Sequence, residues 1–196
     1  MWDQVWELKG KTLGILGLGN IGKEVARLSH AFSPEILYCK RTRLSEEEEE
    51  ELGVEYCPLD DLLVRSDILS IHVPLTDETR GMMGREEIAK MKPGAILLNL
   101  ARGEVVDEEA LANAVREGRI SGVGTDVLTE RRLGDVIETP SPLIGLENVM
   151  ITPHIAGPTI EARARSQKQA TDNILRVFRD EKPIHLVNDV YKFQES

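Results

Sequence analysis

No stretch of this 196-residue chain approaches the ~20 consecutive apolar residues that a membrane span needs. The amino terminus, Met1-Trp2-Asp3-Gln4, has neither a basic region nor an apolar core, so no secretory leader is expected. Cysteine is scarce: Cys39 and Cys57 are the only two, and each ends an expected strand. Such a pair suits a reducing compartment as ordinary buried thiols, and a disulfide between them stays open. Positive charge is in deficit, with 24 Lys and Arg against 34 Asp and Glu and a net charge of −10. That balance argues against nucleic acid as a partner. There is no internal repeat beyond an alternation of strand and helix patterns, and no metal site is expected. A soluble cytoplasmic protein with one domain and an appendage is the natural reading of these absences.

What is present starts with Gly17-Leu18-Gly19-Asn20-Ile21-Gly22. The run before it, Thr12 to Leu16, is short and apolar, as a strand buried on both faces would be. The run after it, Ile21 to Phe32, places Ile21, Val25 and Leu28 at helical spacing. Gly17 then makes the tight turn and Gly19 lets backbone approach a pyrophosphate, while Gly22 allows close helix–strand packing. Asn20 and Ile21 offer backbone N–H groups at the positive end of the helix dipole. A bare Gly-rich turn is the alternative, but strand, glycines and helix agree on a dinucleotide site.

The alternation continues along the chain. Strands are expected at residues 35–39, 54–57, 68–73, 95–100, 120–127 and 149–152. Helices are expected at about 44–52, where Ser45 and Glu48 have capping-box spacing, and at 59–63, 84–91 and from Asp107 to near Gly118. The acidic run Glu46 to Glu51 reads as a solvated helix face. Strands separated by helices of this size imply an α/β fold, a doubly wound parallel sheet of the Rossmann type with its ligand at the carboxyl ends of the strands. A long connection containing Pro140 and Pro142 separates Val127 from Val149, and connections of that length are often functional. A single C-terminal helix is expected from Thr159 to Asp180. The division falls into a dinucleotide-binding domain at 1–157 and a helix and tail at 158–196.

Dinucleotide folds usually carry an acidic residue roughly 20 positions past the glycines, where it accepts hydrogen bonds from the adenosine ribose. Here Lys40-Arg41-Thr42-Arg43 follows the second strand instead. Cations at that place attract a 2′-phosphate that a carboxylate would repel, which points to NADP(H) over NAD(H). The alternative is a basic loop that merely neutralises the nearby glutamates.

Further segments follow in order across nearly the whole chain: His72-Val73-Pro74-Leu75-Thr76 through Thr79, and Met91-Lys92-Pro93-Gly94-Ala95 through Asn99-Leu100-Ala101-Arg102-Gly103. They continue into Val106-Asp107, then Gly124-Thr125-Asp126-Val127 and Thr152-Pro153-His154-Ile155-Ala156-Gly157. With the glycines, these motifs resemble the D-isomer-specific 2-hydroxyacid dehydrogenases, most of all the NADP-using glyoxylate/hydroxypyruvate reductase branch. The resemblance implies that Arg102 grips a substrate carboxylate and polarises its carbonyl, a planar bidentate task that Lys does poorly. It implies that His154 donates a proton as hydride arrives, work that suits imidazole. Asp126 would hold the nicotinamide carboxamide, and backbone near Val73 and Leu100 would frame the ring. Pro74, Thr79, Ala101 and Gly157 would complete the cofactor site.

Two departures stand out. The family usually carries a Glu five positions after the aspartate that pairs with the catalytic His, and Arg131 occupies that position here. A guanidinium disfavours an imidazolium where a carboxylate would favour it, so Glu130 is the candidate replacement if the loop slips by one residue. Relatives also carry a substrate domain ahead of the cofactor domain, and that domain is expected to be absent here. The final helix would then need another partner, either a second copy or a separate substrate domain. The resemblance implies an oxidoreductase acting on a 2-keto or 2-hydroxy acid, commonly a homodimer. The competing expectation is a non-catalytic NADP(H)-binding domain.

Overall fold

Strand β1 (Thr12–Leu16) is buried along its whole length, which places it in the interior of a sheet covered on both faces. It pairs in parallel with β2 (Glu35–Cys39) on one side and β4 (Ile68–Ile71) on the other. The remaining strands are β3 (Glu55–Tyr56), β5 (Ala95–Asn99), β6 (Ile120–Thr125) and β9 (Val149–Ile151). Their order is β3-β2-β1-β4-β5-β6-β9, with every pairing parallel. The chain winds outward from β1 to β3, then returns to β4 beside β1 and winds the other way. That reversal is the topological switch point of a Rossmann-type sheet, where the strand ends leave a crevice. The computed structural model describes residues 7–32, 34–129, 132–133, 136–137, 140–184 and 186.

Helices α1 (Asn20–Ser29), α2 (Glu46–Leu52), α3 (Leu59–Arg65), α4 (Arg85–Lys90) and α5 (Glu108–Arg116) connect these strands. The capping box read from Ser45 and Glu48 is present at α2, and Asp107 caps α5 through the N–H groups of Glu109 and Ala110. One core cluster joins Leu13, Ile15 and Tyr38 to Ala26 of α1 and Leu52 of α2. The other joins Leu37, Leu69 and Leu97 to Leu62 of α3, Ile88 of α4 and Leu111 of α5. Alternate strand residues thus feed opposite faces, as a two-residue period requires.

Several boundaries differ from the expected ones. The fourth strand stops at Ile71, so His72 and Val73 belong to the loop ahead of Pro74. The first helix ends at Ser29 and continues as one 3-10 turn, His30–Phe32. The long connection contains two short antiparallel strands, β7 (Arg132–Leu133) and β8 (Val136–Ile137), which no hydrophobic pattern announces. Cys39 and Cys57 are free thiols, which answers the disulfide question.

The chain divides into two compact units, Met1–His154 and Ile155–Ser196. In the second, α6 (Ile160–Phe178) is capped by the Thr159 hydroxyl, which accepts from the Ala162 N–H at 3.1 Å. Its described side chains include no buried residue, and Ile160 and Phe178 are largely exposed. Among the described residues no helix is long and apolar enough to cross a membrane.

Leu97 is fully buried in β5, between β4 and β6. Leu97→Ala is expected to cost about 3 kcal/mol in a urea titration with an unchanged slope. A loss below about 1 kcal/mol would contradict the packing described.

Candidate functional site

The turn from β1 into α1 brings two backbones close together at the strand ends. Gly17 has φ +97°, a left-handed conformation that side chains rarely adopt. A Cβ there would sit 2.7 Å from the Val73 nitrogen, so the turn rests directly on the chain leaving β4. A Cβ on Gly22 would lie 2.4 Å from the Gly17 carbonyl, which seats α1 against the turn. Around Gly19, by contrast, the Cβ direction is open. No side chain caps α1 and its first turn holds no acidic residue, so the positive end of the helix dipole is left for an anion. Asn20 and Ile21 begin that helix, as the cofactor-site reading requires, and the turn fits a diphosphate.

The basic loop after β2 is less uniform than its composition indicates. Arg43 donates from Nε and Nη2 to the two carboxylate oxygens of Glu49, at 2.8 and 2.7 Å. Glu49 also accepts from the hydroxyl of buried Tyr38, at 2.6 Å. The bidentate guanidinium and then the Tyr38 hydroxyl hold the Glu49 carboxyl down at about 2. Burial, and then the bond to Glu49, push the Tyr38 phenol up to about 12. Glu48 accepts from Lys23 at 2.9 Å, which lowers its carboxyl as well. The glutamate run is therefore not wholly a solvated face: Glu48 and Glu49 are engaged, while Glu46, Glu47, Glu50 and Glu51 remain exposed. Lys40, Arg41 and Thr42 make no hydrogen bond or ion pair with the described residues.

At the other strand ends, Val73 and Pro74 follow β4, and the Thr79 hydroxyl closes their loop by donating to the Pro74 carbonyl at 2.6 Å. Leu100, Ala101 and Arg102 follow β5. Asn99, buried at the end of β5, accepts from the Ala101 N–H at 3.1 Å and donates to the Arg102 carbonyl at 3.0 Å. The same turn is pressed against the exit of β6, because a Cβ on Gly103 would lie 2.2 Å from the Leu128 carbonyl carbon. Asp126 is 4 % exposed and accepts from the Thr152 hydroxyl at 2.5 Å. Two residues beyond Thr152, His154 is exposed and has φ +56°. Arg102, Asp126, Thr152 and His154 line one cavity of about 770 Å³, together with Leu128 and Ile144. Glu130 and Arg131 lie outside the described residues, and Gly157 belongs to the second unit.

Sequence reasoning overlooked the residues that hold these loops. Asn99 is a lone amide in an apolar strand, a legible signal. Glu108 is buried and accepts from the Thr129 N–H at 2.5 Å, which ties α5 to the chain leaving Asp126. Nothing in the local pattern distinguishes it from its exposed neighbour Glu109. At the switch point, the His72 ring bonds Ser70 through Nε2 at 2.8 Å, and burial lowers its pKa. Burial also raises both thiols, Cys57 to about 11.

Gly22→Ala is expected to cost about 1–3 kcal/mol of stability and to weaken nucleotide binding, read by calorimetric titration and thermal melting. A variant of wild-type stability and affinity would refute the close seat of α1. For His72 the folded-state pKa lies below the unfolded value, so the unfolded chain binds the proton first. Its contribution is complete above the unfolded value of about 6.5 and lost as pH falls through the lowered folded one. The stability gap between wild type and His72→Gln should therefore shrink or reverse between neutral and acid pH. A gap independent of pH would show that His72 does not titrate with folding.

Residues 2–156 match the family of the D-isomer specific 2-hydroxyacid dehydrogenase, NAD binding domain. A glyoxylate reductase of Korarchaeum cryptofilum is 45 % identical over 183 residues, covering 93 % of this chain and 54 % of that protein. One from Aeropyrum pernix is 47 % identical over 182 residues, 93 % of this chain and 53 % of that protein. Among solved structures, the D-lactate dehydrogenase with NAD+ from Lactobacillus jensenii superposes with a TM-score of 0.84 at 30 % identity, over 93 % of this chain and 57 % of that one. The chain thus spans about half the length of the curated relatives it matches. With the glycine turn, the seven parallel strands and the Arg102–His154 cavity in their expected order, it belongs to the D-isomer-specific 2-hydroxyacid dehydrogenase family, as that family's NAD(P)-binding Rossmann domain.

Proposed function

We propose that this chain provides the cofactor site and the Arg–His pair of an NADP-dependent reductase, which converts a 2-keto acid of the glyoxylate or hydroxypyruvate type to a D-2-hydroxy acid. The observation that carries the proposal is the single cavity lined by Arg102, Asp126 and His154. A module that only binds nucleotide has no need of an arginine and a histidine facing one space. The relatives named as glyoxylate reductases supply the substrate class.

A bound nicotinamide supplies the hydride. Arg102 pairs its planar guanidinium with the substrate carboxylate and turns the adjacent carbonyl toward His154. His154 gives a proton to the carbonyl oxygen as the carbon accepts the hydride, and recovers it in the reverse direction. Asp126, held by Thr152, accepts from a carboxamide N–H and sets which ring face meets the substrate. Glu130 is the candidate carboxylate for His154 on its adjacency in sequence to the position the family gives a Glu. Lys40, Arg41, Thr42 and Arg43 form the side of the site that favours a 2′-phosphate.

Arg102 and His154 are exposed, so a second wall over this cavity, such as the substrate domain the family carries, would raise turnover further by excluding water. Ile160, Ile174 and Phe178 on α6 leave apolar surface for a partner, which supports a homodimer.

The test follows NADPH oxidation at the cofactor absorbance with glyoxylate and hydroxypyruvate. Turnover is expected, with His154→Asn and Arg102→Ala each reducing kcat/KM by roughly 10²–10⁴-fold. Lys40→Asp should move the preference toward NADH. NADPH binding without turnover on any 2-keto acid would overturn the catalytic reading and leave a cofactor-binding module. Equal use of NADH and NADPH would overturn the cofactor choice alone.

A further inference from the structure

One buried carboxylate organises the whole adenosine side of the crevice. Glu49 is 8 % exposed, and its oxygens take three donors: the Tyr38 hydroxyl and two guanidinium nitrogens of Arg43. The Tyr38 hydroxyl accepts in turn from the Leu44 N–H at 2.9 Å. The Arg43 guanidinium lies 5.4 Å from the centre of the Tyr56 ring, and that ring packs edge-on against Tyr38 with centroids 5.5 Å apart. Strand β2, helix α2 and the Arg43–Leu44 end of the loop therefore meet through this carboxylate and the Tyr38 hydroxyl, with the Tyr56 ring of β3 packed beside them. The 40–44 loop is an arch pinned at that end, with Lys40, Arg41 and Thr42 at its crown.

This geometry divides the basic loop into two kinds of residue. A guanidinium that gives Nε and one N–H of Nη2 to a carboxylate keeps three donors at its outer end, but its plane is fixed by that carboxylate and its charge is already balanced there. Lys40 and Arg41 have no such commitment among the described residues. We propose that Arg43 is a positioning residue rather than a phosphate ligand: the Tyr38–Glu49–Arg43 strut fixes the shape of the arch, and Lys40 and Arg41 read the ribose phosphate. This rests on the cofactor reading above and refines it. A pinned arch also meets the adenosine common to both dinucleotides, so the strut contributes to NADPH and NADH alike. The 2′-phosphate is left to the crown.

Calorimetric titration of the full chain with NADPH and with NADH separates these roles. Arg43→Ala and Glu49→Gln should each weaken both cofactors together, by roughly three- to tenfold, since each breaks the two-bond fork between the guanidinium and the carboxylate. The double variant should be no weaker than the poorer single one, because both changes break one strut. Unrelated structural damage would instead add. Arg43→Lys, a point charge without the fork, should behave like Arg43→Ala. Arg41→Ala should weaken NADPH alone, by about tenfold or more. Arg43 is exposed at the surface, so its variants are expected to keep the wild-type circular dichroism and remain measurable.

A loss confined to NADPH in Arg43→Ala would make Arg43 a direct phosphate ligand and overturn the proposal. Unchanged affinities for both cofactors in Arg43→Ala would overturn it as well, by showing the strut idle. If wild type binds NADH as tightly as NADPH and Arg41→Ala alters neither, the cofactor reading fails instead. The strut would then still be judged by the joint, non-additive losses.

Discussion

Parallel pairing of β1 with both β2 and β4 is the constraint on which everything functional in this chain depends. Every strand of the main sheet runs the same way, so every loop that leaves a strand end leaves at one edge. Because the winding reverses beside β1, the connections on either side of it go to opposite faces and leave its end uncovered. Gly17 occupies that uncovered place, with the backbone of Val73 where its side chain would be. A larger residue would move either the turn or the chain leaving β4, and the anion site at the start of α1 would move with it.

The loops around this crevice are held by polar side chains rooted in or against the sheet, together with backbone contacts between neighbouring loops. Asn99 at the end of β5 fixes both Ala101 and Arg102. Asp126 at the end of β6 takes the Thr152 hydroxyl, and Glu108 of α5 takes the Thr129 N–H. Glu49 of α2 gathers the basic arch. Each of these groups is buried, and a buried polar atom is costly unless its partners are in place. Their partners are loop atoms, so the cost of burial becomes a restraint on loop shape. In this way a rigid parallel sheet passes its order to segments that have little packing of their own.

Much of this was readable before any coordinates. The glycine spacing between a strand and a helix pattern located the nucleotide turn, because only glycine tolerates φ +97° beside a neighbouring backbone. The Ser45–Glu48 capping box was legible for a similar local reason: both partners lie within one turn of each other. The engagement of Glu48 and Glu49 was not legible. Six consecutive glutamates look alike along the chain, and only the packing of α2 against α1 and β2 decides which of them meet Lys23 and Tyr38. Arg43 escaped for the same reason, since composition counts its charge but not the carboxylate already paired with it.

The sequence by itself determined the alternation of the main strands and helices and the place of the dinucleotide turn, because these rest on short-range rules of spacing and conformation, while Arg102, Asp126 and His154 were singled out by the family resemblance of their motifs. Only the tertiary structure decided that Arg102 and His154, far apart in the chain, line one cavity, and that Thr152, Glu108 and Glu49 hold the loops around it. Those relations depend on strand order and helix packing, and contacts between residues distant in sequence leave no local pattern to read.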